Sequence, residues 1–215
     1  MLYMVTGGCG SGKSEYAESL IMASGAARKY YVATMEVYGR EERLKVERHR
    51  KLRDGKGFVT IESPKNLGGI FLDQEEKNRS GSIVPTSQRA VLVECVSNLA
   101  ANELFRDTGT AKKESGFPDS FDIRKKVFHQ VMDGILKLKS QCGLLVLVTN
   151  EVCSDGIDYG TETGTYIRLL GEINCSLAKL AHRTIEVVYG IPLLLGAENP
   201  IAGISKAGAD ISGRV

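Results

Sequence analysis

Apolar and polar residues alternate in blocks along the chain, and these blocks predict strands and helices in turn. Short, nearly all-apolar runs predict strands covered on both faces, at residues 2–6, 29–33, 58–61, 90–94, 144–149 and 184–191. Intervening stretches predict helices at residues 13–24, 40–53, 97–106, 122–140 and 164–181. Such alternation predicts an α/β fold with a mostly parallel sheet flanked by helices.

Two polar stretches and the end of the chain depart from this pattern. Residues 68–89 and 107–120 are rich in charged and small residues, which predicts surface loops. Residues 196–215 are rich in glycine and lack periodicity. We therefore expect a single domain at residues 1–195 and a glycine-rich C-terminal tail at residues 196–215.

Composition restricts the class of protein and of partner. The 215 residues, 42% hydrophobic and 25% charged, are ordinary for a globular protein. A net charge of +2 gives no reason to expect a nucleic-acid partner, and no apolar run approaches the about 20 residues of a membrane-spanning helix. Five cysteines without a C-x-x-C pair predict neither a disulfide framework nor a zinc site. We expect free thiols in a reducing cytoplasm.

A phosphate-binding loop is predicted directly after the first strand. The pattern G-x-x-x-x-G-K-[ST] is met by Gly7-Gly8-Cys9-Gly10-Ser11-Gly12-Lys13-Ser14. The glycines allow a tight turn whose N–H groups face phosphate oxygens, and the following helix N-terminus adds donors. Lys13 is expected to reach the outer phosphates and the Ser14 hydroxyl to bind Mg²⁺. The alternative, a glycine-rich turn without a ligand, is disfavoured by the strand–loop–helix context.

A basic helix is the second candidate. His49 stands among Arg48, Arg50, Lys51 and Arg53, and apolar positions are scarce in residues 40–53. A neutral imidazole is a competent nucleophile towards phosphorus, and neighbouring cations would hold phosphates in place. The alternative is a solvated, charged helix with an incidental histidine. Taken alone, these residues leave both interpretations open.

Glu94 is the third candidate because it closes the apolar strand at residues 90–94. Folds of this type place a carboxylate there to organise Mg²⁺. The alternative is a strand-end carboxylate that caps the next helix. With a phosphate loop already present, the Mg²⁺ role is favoured.

Together, the motifs resemble one family of P-loop NTPases, the bifunctional adenosylcobinamide kinase/adenosylcobinamide-phosphate guanylyltransferases of cobalamin biosynthesis. The resemblance extends from the N-terminus to about residue 195. Beyond the phosphate loop, its pieces include Tyr-Val-Ala-Thr at 31–34, Arg-His-Arg at 48–50, Thr-Ile-Glu at 60–62, Val-Glu-Cys-Val-Ser-Asn at 93–98 and Val-Thr-Asn-Glu-Val at 148–152. The combination is far more specific than the loop alone.

The resemblance implies two reactions. In the first, ATP or GTP phosphorylates the hydroxyl of the aminopropanol arm of adenosylcobinamide. In the second, a histidine takes GMP from GTP with release of pyrophosphate. Adenosylcobinamide phosphate then accepts the GMP, giving adenosylcobinamide-GDP. The resemblance also implies a homotrimer whose partners are nucleotides and a small-molecule corrinoid.

It further implies a set of site residues. His49 and Lys13 would be catalytic, and Ser14 and Glu94 would hold Mg²⁺. Glu62 could read the N1–H and amino group of guanine, which adenine does not present together. The residues implied in nucleotide binding are Gly7, Gly8, Cys9, Gly10, Ser11, Gly12, Lys13, Ser14, Val32, Ala33, Thr34, Arg50, Lys51, Leu52, Arg53, Glu62 and Glu94.

Two other functions remain as alternatives. One is a monofunctional small-molecule kinase in which His49 is a residue of a charged helix. The other is a GTP-binding regulator without a small-molecule product. Incubation with α-labelled GTP separates the bifunctional enzyme from the monofunctional kinase, because the histidine intermediate alone predicts acid-labile label on the protein. A regulator would bind GTP but fail to consume it with adenosylcobinamide.

Overall fold

One seven-stranded sheet organises the fold. The computed structural model describes residues 1–36, 39, 55–72, 84–105, 120–152, 157 and 159–197. The strands, in the spatial order β3-β2-β4-β5-β1-β6-β7, are β1 (Leu2–Thr6), β2 (Arg28–Ala33), β3 (Phe58–Glu62), β4 (Arg89–Glu94), β5 (Leu144–Val148), β6 (Arg183–Val188) and β7 (Ile191–Ala197). Every pairing is parallel except that of β6 with β7. The predicted fold class is therefore confirmed.

Helices cover both faces of this sheet, as the apolar strands predict. In the described parts of the chain the helices are α1 (Lys13–Ala23), α2 (Val96–Leu104), α3 (Ser120–Ser140) and α4 (Gly160–Leu180), with short 3-10 turns at Leu67–Gly69 and Thr86–Gln88. Helix α1 packs on one face, while α2, α3 and α4 pack on the other. Every residue of the central strand β5 is buried, because neither of its faces meets water.

This topology brings the candidate site together. The carboxyl ends of parallel strands lie at one edge of a sheet, where α/β proteins bind ligands. The phosphate loop follows β1 at that edge. Glu94 ends β4 and is in register with Ala33 at the end of β2. Ala33 is also in register with Glu62 at the end of β3.

The last predicted strand differs from the observed structure. Residues 184–191 were expected as one strand, but β6 ends at Val188 and a hairpin turn leads into β7. Tyr189 and Gly190 form the turn with φ values of 52° and 81°. Positive φ at both central residues is typical of a two-residue hairpin. A tyrosine inside an apolar run gives little sign of such a turn.

Several predictions fall on parts of the chain that the structure does not describe. These are the helix at residues 40–53, most of the two loops, and residues 198–215. The division into a domain and a tail stays a prediction. In the described segments, no helix has the length and apolar character needed to cross a membrane.

Candidate active site

The phosphate loop is held between β1, α1 and the β6–β7 turn. Gly7 has a φ of 149°, and a Cβ added there would lie 2.5 Å from the carbonyl oxygen of Val187. Gly12 precedes α1 in the left-handed region, with a φ of 91°. Gly190 N–H donates to the Ser11 carbonyl at 2.8 Å. Backbone therefore approaches the loop so closely that a side chain at Gly7 would clash.

Lys13 is folded back over the loop it follows. It is the first residue of α1, is buried, and donates from Nζ to the Gly8 carbonyl at 2.9 Å. An ammonium group has three donors, so this bond leaves others for phosphate oxygens. Gly8, Cys9 and Gly10 form the exposed rim of the loop. The lysine charge thus lies where the motif requires it.

The Glu94 carboxylate is held from two sides. The Ser14 hydroxyl donates to Oε1. The Tyr31 hydroxyl donates to Oε2 at 2.9 Å. Helix α1, strand β2 and strand β4 thus each contribute one of the three side chains. Both carboxylate oxygens have a partner, which limits rotation of the group.

The oxygens at this point suit Mg²⁺. A hydroxyl and a carboxylate are hard oxygen ligands, and Mg²⁺ in nucleotide sites is held by one or two carboxylates, substrate phosphates and water. Ser14 and Glu94 supply that set. Within the described ranges, no cluster of three or more His, Cys, Asp or Glu side chains could form an all-protein cage. The residues present fit an ion that is shared with nucleotide phosphates.

Residues 32–34 were predicted to bind the nucleotide, but their three side chains lie in different environments. Ala33 lines the cavity described below, but the Val32 side chain is buried in the core on the opposite face of the sheet. Thr34 is fully buried, and its hydroxyl accepts from Cys95 N–H and donates to the Cys95 carbonyl, both at 2.7 Å. Thr34 therefore joins β2 to the end of β4.

Glu62 lies further out at the same edge of the sheet. It ends the edge strand β3 and is exposed. Neighbouring strands are about 4.8 Å apart, so two strand spacings place the Glu62 and Glu94 backbones about 10 Å apart. Glu62 is not among the residues that line the cavity beside Glu94. That separation suits a contact with a distant part of a nucleotide.

A buried polar network supports the edge behind Glu94. Asn150 Nδ2 donates to Ser97 Oγ at 2.7 Å, and Ser97 Oγ lies 2.9 Å from Cys95 Sγ. Burial raises the pKa of the Cys95 thiol above its ordinary value, although the hydrogen bond with Ser97 opposes this shift. Cys95 is therefore a neutral thiol near pH 7. Thr149 and Asn174 extend the network through a 2.8 Å bond.

A cavity of about 190 Å³ opens in front of these groups. It brings the predicted residues Lys13, Ser14, Ala33 and Glu94 together. Six further residues line the cavity and were not predicted as site residues: Tyr31, Met35, Cys95, Asn98, Val148 and Asn150. Asn98 and Asn150 come shortly after the carboxyl ends of β4 and β5. Because ligands bind at that edge of an α/β sheet, this position in the sequence was the signal that pointed to both residues.

The basic segment completes the list of predicted site residues. His49, Arg50, Lys51, Leu52 and Arg53 all lie outside the described residues. Their roles therefore remain predictions from the resemblance.

The sequence of this chain is similar to one protein family and its members. The model of the cobinamide kinase/cobinamide phosphate guanyltransferase family matches residues 3–195. A bifunctional adenosylcobalamin biosynthesis protein of Escherichia coli is 31% identical over 89% of this chain and 97% of its own length. Its counterpart from Salmonella typhimurium is 27% identical, with the same coverage. Among solved structures, an ATPase of a bacterial type III secretion system has a TM-score of 0.49 and 13% identity, over 96% of this chain and 59% of that one.

Proposed function

This chain belongs to the cobinamide kinase/cobinamide phosphate guanyltransferase family, and we propose that it catalyses both reactions on adenosylcobinamide. ATP or GTP first phosphorylates the hydroxyl of the aminopropanol arm, and GMP from a second GTP is then transferred to the new phosphate, giving adenosylcobinamide-GDP. The observation that carries the proposal is the contact of Ser14 with Glu94 beside Lys13. It lies inside a family match that spans residues 3–195.

In the kinase step, the acceptor hydroxyl oxygen forms a bond to the γ-phosphorus. The bond to the β–γ bridging oxygen breaks, and the hydroxyl proton is released. Lys13 and the loop N–H groups bind the phosphate oxygens and stabilise the charge that the transition state spreads over them. Ser14 and Glu94 would hold Mg²⁺, whose charge offsets that of the phosphates.

In the guanylyl step, His49 is the proposed nucleophile. An imidazole nitrogen forms a bond to the α-phosphorus of GTP while pyrophosphate leaves. A phosphate oxygen of adenosylcobinamide phosphate then attacks that phosphorus, and the P–N bond breaks to restore the imidazole. Splitting one displacement into two easier ones is the advantage of covalent catalysis. Arg50, Lys51, Leu52 and Arg53 are proposed to contact the nucleotide, and Glu62 to read guanine.

Labelling with GTP tests the guanylyl step. We expect acid-labile label from α-labelled GTP on His49 and none from γ-labelled GTP. His49→Ala should abolish both the label and GMP transfer. His129→Ala, which changes an exposed histidine of α3, should retain both. GMP transfer that survives in His49→Ala would contradict the intermediate, and kinase activity without any label would indicate a monofunctional kinase.

We also propose that the protein is a cytoplasmic homotrimer. Strand β7 supports self-association, because Ile191, Leu193, Leu194 and Leu195 are exposed apolar residues on a sheet edge. The exposed thiols Cys9 and Cys175 suit a reducing compartment. Light scattering of the purified protein tests the oligomer, and a monomeric mass at micromolar concentration would contradict it.

A further inference from the structure

Two chemically different sets of side chains line the cavity in front of Glu94. The phosphate set is Lys13, Ser14 and Glu94. The amide set is Met35, Asn98 and Asn150. A phosphate group and its metal account for the charged groups of the first set. They do not account for the two amides and the apolar side chain of the second.

The two amides of the amide set differ in their partners. Asn150 donates to Ser97 Oγ at 2.7 Å, and the Tyr166 hydroxyl donates to the Ser97 carbonyl at 3.3 Å, so Asn150 belongs to the network behind the site. Asn98, in the first turn of α2, is half-buried. Its side chain has no hydrogen-bond partner within the described part of the chain. A half-buried amide facing a cavity is well placed to bind a ligand.

The volume of the cavity limits what this ligand can be. At about 190 Å³, the cavity is smaller than the roughly 300–1,000 Å³ of sites that enclose a whole drug-sized ligand. A corrin ring with its side chains exceeds that size and must remain outside. A terminal phosphate together with one short arm of the acceptor is small enough to enter. The cavity therefore has room for an arm but not for a ring.

We propose that the amide set forms the acceptor subsite, and that Asn98 binds the amide that joins the aminopropanol arm to the corrinoid. This inference rests on the proposed kinase function. The arm carries the hydroxyl that receives the phosphate and, two carbons away, an amide with one N–H and one C=O. The Asn98 side chain offers the complementary acceptor and donors. Met35 supplies apolar surface for the carbon atoms between the hydroxyl and the amide.

This placement has a mechanistic consequence. Holding the amide two carbons from the hydroxyl orients the hydroxyl oxygen towards the phosphate set of residues. Such positioning converts an encounter into a near-attack geometry. Asn98 thus contributes to acceptor binding and not to nucleotide binding. The predicted signature is a change in the acceptor KM at constant nucleotide KM.

The test compares Asn98→Ala with the wild type in the kinase reaction. We expect the KM for adenosylcobinamide to rise about tenfold or more, the cost of one lost hydrogen bond in a partly buried site, while the KM for ATP stays within twofold. Gln88→Ala is the control, because Gln88 is an exposed amide at the other end of β4. Unchanged thermal melting of each variant excludes a folding defect.

A small mimic tests the same subsite without mutation. N-propionyl-1-amino-2-propanol carries the amide and the hydroxyl without a corrin. It should compete with adenosylcobinamide at millimolar concentration, whereas 1-amino-2-propanol, which lacks the amide, should not. Asn98→Ala should abolish this competition.

The outcomes separate the two proposals. If the wild type phosphorylates adenosylcobinamide but Asn98→Ala keeps its acceptor KM, the acceptor subsite is wrong and the kinase function stands. An equal rise in the ATP KM would assign Asn98 to the nucleotide and also overturn the subsite. If the wild type does not phosphorylate adenosylcobinamide, both proposals fail.

Discussion

Replacing Tyr31 by phenylalanine removes one atom from the proposed metal site. The Tyr31 hydroxyl donates to Glu94 Oε2 at 2.9 Å, while Ser14 donates to Oε1. The variant leaves Oε2 without this donor and frees the carboxylate to rotate. The aromatic ring is retained, so its edge-to-face contact with Phe58, at 6.2 Å between centroids, persists. The substitution therefore removes the hydroxyl contact with the carboxylate and keeps the aromatic ring.

The size of the effect follows from this geometry. A hydrogen bond to a charged group contributes about 1.5–3 kcal/mol, and about 1.4 kcal/mol corresponds to tenfold in rate. Because Glu94 is half-buried, water replaces part of the lost interaction. The loss is therefore expected at the lower bound of about 1.5 kcal/mol. We expect kcat of the kinase step to fall about tenfold and the Mg²⁺ concentration for half-maximal rate to rise. The free energy of unfolding should fall by the same lower bound, about 1.5 kcal/mol.

The assay follows phosphorylation of adenosylcobinamide by ATP over a range of Mg²⁺ concentrations. Tyr30→Phe is the matched control, because Tyr30 is the preceding residue and is buried in the core on the opposite face of the sheet. That variant should keep its rate within about twofold. A Tyr31→Phe enzyme with the rate and Mg²⁺ dependence of the wild type would refute the reasoning. Equal losses in the two variants would point to a general effect on packing.

Three further predictions concern base selection, packing and thiol reactivity. Glu62→Gln should relax the preference of guanylyl transfer for GTP over ATP, measured as the ratio of kcat/KM values; an unaltered ratio would refute base reading by Glu62. Gly143→Ala should destabilise the fold by about 1–3 kcal/mol, because a Cβ there collides with the backbone of Ser87. Gly171→Ala, in open space on α4, should not lower the melting temperature, and equal losses would refute the steric argument. Burial raises the pKa of Cys142 to about 12, so about one Cys142 thiol in ten thousand is ionised at pH 8. Peptide mapping should show that iodoacetamide modifies the exposed thiols first. Equally fast modification of Cys142 would contradict this prediction.

The features predicted well are those encoded by neighbouring residues. The apolar run at residues 144–149 identified β5 because a strand buried on both faces needs apolar side chains at every position. The phosphate loop was found because its glycines, Lys13 and Ser14 are contiguous in the chain. The alternation of strands with helices then predicted the parallel sheet. Each of these predictions depended on residues that lie close together in the sequence.

The partners of Glu94 could not be predicted in the same way. Tyr30 and Tyr31 are adjacent aromatic residues in one apolar run, and a strand sends them to opposite faces. Which of them meets Glu94 depends on the face that α1 covers and on the register between β2 and β4. Whether Asn98 and Asn150 line the cavity likewise depends on the order of the strands in the sheet.

Local order in this protein follows from the pattern of apolar residues and glycines, because hydrophobic burial and backbone sterics act on short segments. The composition of the active-site cavity follows from pairings between strands about 60 residues apart, such as Ala33 with Glu94. Such pairings arise when the whole sheet is formed, and a shift of one residue would turn Tyr31 away from Glu94. The phosphate-loop motif can therefore be read from the sequence alone, whereas the contacts of Glu94 with Ser14 and Tyr31 depend on the folded sheet.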